Sequence, residues 1–345
     1  MRFPPASAHA AALLTAFSCL TAPAFGQSAA TDPVGFITVN VAAGSAASPT
    51  LSLVSPTLMQ AVEWQGAIAT ITGTAITVAG TPWTAAQFGT NGQYFVEVAS
   101  GASAGAWTDI QSSTTNGLTT LDDLSAFASP TTAIRIRKHT KLTDFLGVNN
   151  SAGLKGAASV ANADEVLVYD GSNSTVYWYY DASDAQGPAG WYNTSYQSAA
   201  NVVIAPHEGV VIRRKGTAPV SFQAMGSVKT GNTYFPVKTG LNVLGTVSAY
   251  GLTLATSGLY TGNASTGVKG ASAVTAADEV TIFSGSGSTV YWYYDASDAQ
   301  GPAGWYNTSY VAAGTVPIAA GSAILINRKA PGTPFNWPLP SPTTF

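Results

Sequence analysis

Two motifs in the sequence carry residue types that could support hydrolytic chemistry. Gly101-Ala102-Ser103-Ala104-Gly105 matches the G-x-S-x-G pattern, which in serine hydrolases places the serine on a sharp turn between a strand and a helix. Because Trp107 to Ile110 has the composition of a strand, we interpret this motif as a hairpin loop. Asp164-Glu165 recurs as Asp278-Glu279, but adjacent strand residues point to opposite faces and do not form a facing acid–base pair.

An acidic segment offers oxygen ligands for calcium. Asp181 and Asp184 recur as Asp295 and Asp298 in loops that also contain Ser and Gln. Their spacing misses the D-x-[DN]-x-[DN]-G pattern of a calcium-binding loop, and Asp in such loops commonly closes a turn with its own backbone. We therefore expect no cofactor, with Ca²⁺ at these four aspartates as the open alternative.

Aromatic residues form the strongest non-random feature of the sequence. Seven of them fall within residues 177–196, and the whole set recurs within residues 291–310. On a strand, Trp178 and Tyr180 share one face with the β-branched Val176, while Tyr177 and Tyr179 lie on the other. We predict that Trp178 and Tyr180 face the core and that at least two rings of the remaining set are substantially exposed to bind a partner. This set is Tyr177, Tyr179, Trp191 and Tyr192, with Tyr291, Tyr293, Trp305 and Tyr306 in the second copy.

Composition excludes several classes of protein. Only 9% of the 345 residues are charged, against about 25% in an average soluble domain. The chain is therefore neither a coiled coil nor a charged disordered segment. Lys and Arg together number 14 against 17 acidic residues, so there is no basic surface of the kind that binds nucleic acid.

The N-terminus has the pattern of an export signal. Arg2 precedes an apolar stretch, Ala10 to Leu20, and Ala24-Phe25-Gly26 provides the small residues that precede a cleavage site. We predict a signal peptide at residues 1–26 and a mature chain without cysteine, located in the periplasm, on the outer cell surface or outside the cell. A lipoprotein acylated at Cys19 is the disfavoured alternative, and no later apolar run is long enough for a transmembrane helix.

The mature chain contains an internal duplication of β structure. Residues 153–215 align without a gap onto residues 267–329, with about 41 of 63 positions identical. Val166 to Tyr169 and Thr175 to Tyr180 have the β-branched and aromatic composition of a hairpin. We predict an all-β fold of two or three tandem small domains, sandwich-like or barrel-like. The predicted boundaries are 27–139 for an N-terminal β domain, 140–225 for the first repeat copy, 226–249 for linker or edge strands, 250–337 for the second copy and 338–345 for a Pro-rich tail.

Several motifs together resemble those of a paralogous family of uncharacterised exported bacterial proteins. They are Asp32-Pro33-Val34-Gly35-Phe36, the Tyr94–Val98 segment with Ser100-Gly101 and Trp107, Ala163-Asp164-Glu165-Val166, and the segments that end in Ile-x-Arg-Lys. The resemblance covers nearly the whole mature chain. It implies export and a β-rich fold, and it carries no catalytic residues.

These observations favour a non-enzymatic envelope or extracellular protein with a structural or adhesive role. The alternative is a carbohydrate-binding protein that stacks sugars on the duplicated aromatic residues, because exposed aromatic patches usually mark an interface. A hydrolase is the least favoured class. The expected partner is therefore a polysaccharide or another envelope protein, without nucleic acid and without a membrane span in the mature chain.

Overall fold

The computed structural model describes residues 32–89, 92–170, 173–184, 187–285, 287–296 and 301–341. The predicted signal peptide, Cys19 and Asp298 lie outside the described residues. The fold is all-β, as predicted, and the described part of the chain has one short helix. In that part, no helix is long and apolar enough to cross a bilayer.

The strands fall into a barrel and two modules of similar construction. The strands before the helix are β1 Val34–Val41, β2 Thr50–Val54, β3 Val62–Thr72, β4 Ala75–Val78, β5 Tyr94–Val98, β6 Trp107–Ser113, β7 Gly117–Thr120, β8 Ala133–Lys138 and β9 Thr140–Lys141. The helix α1 Leu142–Leu146 is followed by β10 Glu165–Asp170, β11 Asn173–Tyr180, β12 Gly190–Asn193, β13 Val203–Ile204, β14 Val210–Arg214 and β15 Val220–Ser227. The remaining strands are β16 Thr233–Val237, β17 Gly240–Leu244, β18 Leu252–Thr253, β19 Glu279–Ser284, β20 Gly287–Tyr294, β21 Gly304–Asn307, β22 Pro317–Ile318, β23 Ile324–Arg328 and β24 Phe335–Leu339.

The barrel closes in the strand order β3-β4-β7-β6-β5-β8. Its core is made by alternate apolar side chains such as Ile68, Val96 and Ile134, because alternate residues of a strand point to the same side. Gly73 and Thr74 form the two-residue loop between β3 and β4, since Thr72 pairs with Ala75 and Gly73 has a φ of +58°. That backbone conformation costs glycine nothing.

The two modules contain the same sheets. The first module has a five-stranded sheet in the order β12-β11-β10-β14-β2 and two ribbons, β1–β15 and β9–β13. The second module has a sheet in the order β21-β20-β19-β23-β17 and the ribbons β16–β24 and β18–β22. The predicted hairpin is confirmed in both modules, where Val166 pairs with Tyr177 and Val280 with Tyr291.

The barrel lies within the chain of the first module. Residues 55–139 separate β2 from β9 and contain all six barrel strands, whereas only residues 245–251 separate the equivalent strands β17 and β18. The strand pairing therefore crosses the predicted boundary at residues 139 and 140, because β1 and β2 pair with β15 and β14. Residues 226–249 include β16 and β17, and β17 is an edge strand of the second module's sheet.

The modules contact each other through reciprocal backbone hydrogen bonds. The carbonyl groups of the edge strands β17 and β2 accept two of these bonds, from Gly209 N to Val243 O (3.0 Å) and from Ala323 N to Leu53 O (3.1 Å). The residues that directly follow β17 and β2 donate the other two, from Gly245 N to His207 O (3.0 Å) and from Ser55 N to Gly321 O (2.9 Å). Apolar side chains of both sheets, including Val211 and Val243, pack beside these bonds. Each of these four hydrogen bonds has a counterpart donated by the other module, as in the isologous interface of a homodimer.

A buried ionic group joins the barrel to the segment between the modules. Glu97 on β5 lies 3.1 Å from Lys229 Nζ and 3.4 Å from Arg137 Nε, and Arg137 also pairs with Asp32. All four side chains are at most 5% exposed. Burial raises the pKa of Glu97, but the charges of Lys229 and Arg137 outweigh it, so the pKa lies below the ordinary value of 4.5.

Glu97→Gln is expected to lower the free energy of unfolding at pH 7 by about 1–3 kcal/mol, because the buried cations lose their charged acceptor. The folded-state pKa of Glu97 is below its unfolded value. The stability from this carboxylate is therefore present above the unfolded pKa and lost as the pH falls through the folded one. Urea unfolding should show a difference between wild type and variant at pH 7 that shrinks below about pH 4. A difference independent of pH would contradict this role of the charge.

Candidate functional site

The duplicated aromatic segment forms a hairpin of adjacent strands in each module. β11 and β12 pair in the first module, and β20 and β21 pair with the same register in the second. Trp178 and Tyr180 are buried, as predicted, and pack with Tyr192 and Ala163. Trp292 and Tyr294 make the equivalent cluster in the second module.

The prediction that at least two rings of the other set are substantially exposed is wrong. The buried members are Trp191, Tyr192, Trp305 and Tyr306, and the half-buried members are Tyr177, Tyr179, Tyr291 and Tyr293. The physical reason is that both faces of the hairpin are covered. The loop before β10 packs on one face through Ala157 and Val160, and the module's main core packs on the other. The rings of this set therefore pack within their modules and do not form an exposed aromatic surface.

The exposed aromatic residue of each segment is Tyr196 or Tyr310. These rings are 38% and 40% exposed, and both residues have a φ of +56°, which is rare for a bulky side chain. Tyr196 stands edge-on to Trp178 at 5.5 Å, and Tyr310 stands edge-on to Trp292 at 5.4 Å. Each tyrosine thus closes the outer side of its buried cluster.

The four aspartates considered for calcium do not form a complete set of ligands in the described structure. Asp181 and Asp295 are exposed at the ends of β11 and β20, and Asp298 lies outside the described residues. The neighbouring Asp184 carboxylate, with burial as a smaller cause, raises the pKa of Tyr180 to about 12. Within the described ranges, no three His, Cys, Asp or Glu side chains come together as a possible metal site.

Asp164 and Asp278, which begin the repeated hairpins, form buried anchors. Asp164 accepts hydrogen bonds from the backbone amides of Lys155 and Lys215, both at 2.6 Å, and forms an ion pair with Arg214. The neighbouring Glu165 instead contacts Lys215 Nζ at 2.5 Å. The two carboxylates have separate cationic partners, and this arrangement holds the strand ends together.

The interpretation of residues 101–105 as a hairpin loop is confirmed. Gly105 N donates to Val98 O at 2.8 Å, and Ala106 O accepts from Val98 N at 2.8 Å. Ser103 therefore follows β5 and precedes β6, and lies at no junction between a strand and a helix. The geometry that activates a hydrolase serine is not present at this residue.

An exposed apolar surface lies on the β1–β15 ribbon, and sequence analysis did not identify it. Val34, Phe36 and Met225 are 80%, 64% and 77% exposed, and Phe36 lies directly opposite Met225. We call these three residues the ribbon patch. The sequence gives little indication of this patch, because the buried residues Val39 and Val41 on the same strand are also apolar and residue type alone does not separate the two faces.

The geometry is thus that of a packed scaffold that carries the ribbon patch on its first module. Compared with protein-family models, curated proteins and solved structures, the chain matches none of them. The resemblance to exported bacterial proteins therefore stays a prediction, and the function has to be inferred from the site itself.

Proposed function

We propose that this protein is an exported, non-enzymatic component of the cell envelope or exterior, with a structural or adhesive role. The observation that carries the proposal is the ribbon patch. Large apolar side chains exposed together usually mark a surface that another molecule covers. The partner we propose is another envelope protein, because three apolar side chains without charge suit burial in a protein interface.

The rigid construction behind the patch supports a structural role. Inward side chains of the same ribbon, Val39 and Phe222, belong to the main core of the first module. The patch is therefore fixed to a packed layer on its inner side, and binding would order few additional groups. Preorganised surfaces lose less free energy to ordering when they bind.

A carbohydrate-binding role is the second candidate. The carbohydrate-binding hypothesis first depended on exposed rings in the duplicated segment, and those rings are buried or half-buried. One observation favours it, a cavity in the second module beside Trp305.

The double variant Phe36→Ser/Met225→Ser tests the proposed role. Fully burying each apolar side chain is worth about 1.5–3 kcal/mol, so we expect retention on the cell envelope to weaken at least tenfold. The full chain would be produced in a Gram-negative bacterium, and its fractions would be compared after washing. The matched control is Val311→Ser, which removes one exposed apolar side chain of the second module.

Both variants should keep the melting temperature of the wild type, because surface substitutions usually change stability by less than about 0.5 kcal/mol. A wild-type chain that stays in the cytoplasm, or equal envelope retention of the wild type and the double variant, would overturn the proposal.

A further inference from the structure

The two modules differ at one pair of equivalent tryptophans. Trp191 and Trp305 occupy the same position in identical 23-residue segments, 174–196 and 288–310. In the first module the Trp191 indole Nε1 donates a hydrogen bond of 2.8 Å to Gly147 O, at the C-terminal end of α1. This donor is thus satisfied within the protein.

In the described residues of the second module, no helix follows β18, the strand equivalent to β9. Tyr260 lies in the segment between β18 and β19, where the first module has α1. The ring of Tyr260 stacks on that of Tyr293, with centroids 3.4 Å apart and planes at 11°. Tyr293 in turn meets Trp305 edge-on at 5.6 Å.

These rings line an open cavity of about 280 Å³. Its lining includes Tyr260, Tyr293, Trp305, Leu254, Gly258 and Gly314. None of its described lining residues is charged. Its volume is close to the lower end, about 300 Å³, of the range for small-molecule sites, so it suits a compact ligand.

The Trp305 indole nitrogen has no hydrogen-bond acceptor at this cavity among the described residues. The ring is 5% exposed, and among the described residues no acceptor is hydrogen-bonded to its nitrogen. The nitrogen is not sealed from solvent, in contrast to buried unpartnered atoms such as His139 Nδ1. A ligand that displaces solvent from the cavity has to offer an acceptor to this nitrogen, because a donor that is buried without a partner is destabilising. A ligand oxygen meets this requirement.

The chemistry of the lining selects among ligands. Burial, followed by the neighbouring Tyr293 and Asp295, raises the pKa of Tyr260, so its hydroxyl stays protonated at neutral pH and can donate or accept. An anion would meet the charge of Asp295 without a compensating cation in the lining. A sugar ring instead offers hydroxyl groups at its rim and C–H groups on its faces, which match tyrosine and tryptophan rings with polar tips.

We propose that the cavity between Tyr260, Tyr293 and Trp305 binds a neutral sugar residue, with the Trp305 indole N–H donating to a sugar oxygen. This inference deepens the carbohydrate-binding candidate and is independent of the ribbon patch. The proposed site occurs in the second module and not in the first, because α1 occupies the equivalent position beside Trp191.

Trp305→Phe tests the proposed donor, and Trp191→Phe is its matched control. The purified chain would be titrated calorimetrically with glucose, galactose, mannose, N-acetylglucosamine and their short oligomers, and with glucuronate as the charged probe. We expect at least one neutral sugar to bind, with roughly five- to 150-fold weaker binding to Trp305→Phe, since the sugar oxygen is left without its donor in the bound state. The Trp191→Phe variant should bind like the wild type, because that nitrogen already has a protein acceptor.

A second pair of variants keeps the test valid if Trp305→Phe folds poorly. Gly314→Leu fills the cavity from its wall, where an added Cβ would meet only the Cβ of Ala255 at 3.6 Å. The control is Ala200→Leu at the equivalent exposed position of the first module. Failure of every neutral sugar to bind at millimolar concentration, tighter binding of glucuronate, or equal losses in a variant and its control would overturn the inference. None of these results would bear on envelope retention through the ribbon patch.

Discussion

Asp164→Ala is expected to lower the free energy of unfolding by about 3–5 kcal/mol, because it leaves a buried guanidinium without its counter-ion. Arg214 is 6% exposed and pairs with the fully buried Asp164 carboxylate. The substitution also removes the acceptor for the amides of Lys155, Lys215 and Gly216. Urea unfolding followed by tryptophan fluorescence measures this loss.

The second module provides an independent repeat of the experiment. Asp278 accepts from the amides of Lys269 at 2.7 Å and Lys329 at 2.9 Å and pairs with Arg328 at 2.5 Å. Asp278→Ala should therefore destabilise the chain by a similar amount. The control is Glu63→Ala, which breaks an exposed ion pair with Lys138 and should cost less than about 1 kcal/mol. If both aspartate variants behaved like this control, the buried anchors would have no stabilising role.

Local features of the fold could be predicted from sequence because their causes are local. Gly73 adopts a positive φ in a two-residue hairpin loop, and glycine tolerates this conformation without a steric cost. Val166 is fully buried while Leu167 faces the other module. The two copies show in their sequences which face of the strand is buried, since Leu167 is replaced by the polar Thr281 while Val166 is kept as Val280.

The composition of the modules could not be predicted in the same way. β2 pairs with β14 across a separation of about 160 residues, with the whole barrel between them. Sequence identity between the copies does not reveal this, because β2 and β17 share only an apolar pattern, Leu51 to Val54 against Leu241 to Leu244. Pairing over such distances depends on the packing of complete sheets, and periodicity within one strand contains no information about it.

The candidate sites escaped prediction for a related reason. Alternation along β11 indicates that its rings point to two faces, but it does not indicate that a loop and a core cover both of them. Tyr260 lies outside the identical segment, so the repeat gave no reason to associate it with Tyr293. These two rings stack in the part of the second module where, among the described residues, no helix occurs, whereas α1 occupies this part of the first module.

The most direct test of whether the duplicated rings are packing elements is the stability of Trp191→Ala. Trp191 is 3% exposed and packs in the first module's core, so its truncation should lower the free energy of unfolding by about 3–5 kcal/mol. Tyr196→Ala, at a ring that is 38% exposed, serves as the control within the same segment and should cost clearly less. If the ring is buried, Trp191→Ala should lose about 3–5 kcal/mol while the Tyr196→Ala control does not. A loss within about 0.5 kcal/mol, as for an exposed side chain, would show instead that the repeated aromatic residues form a surface.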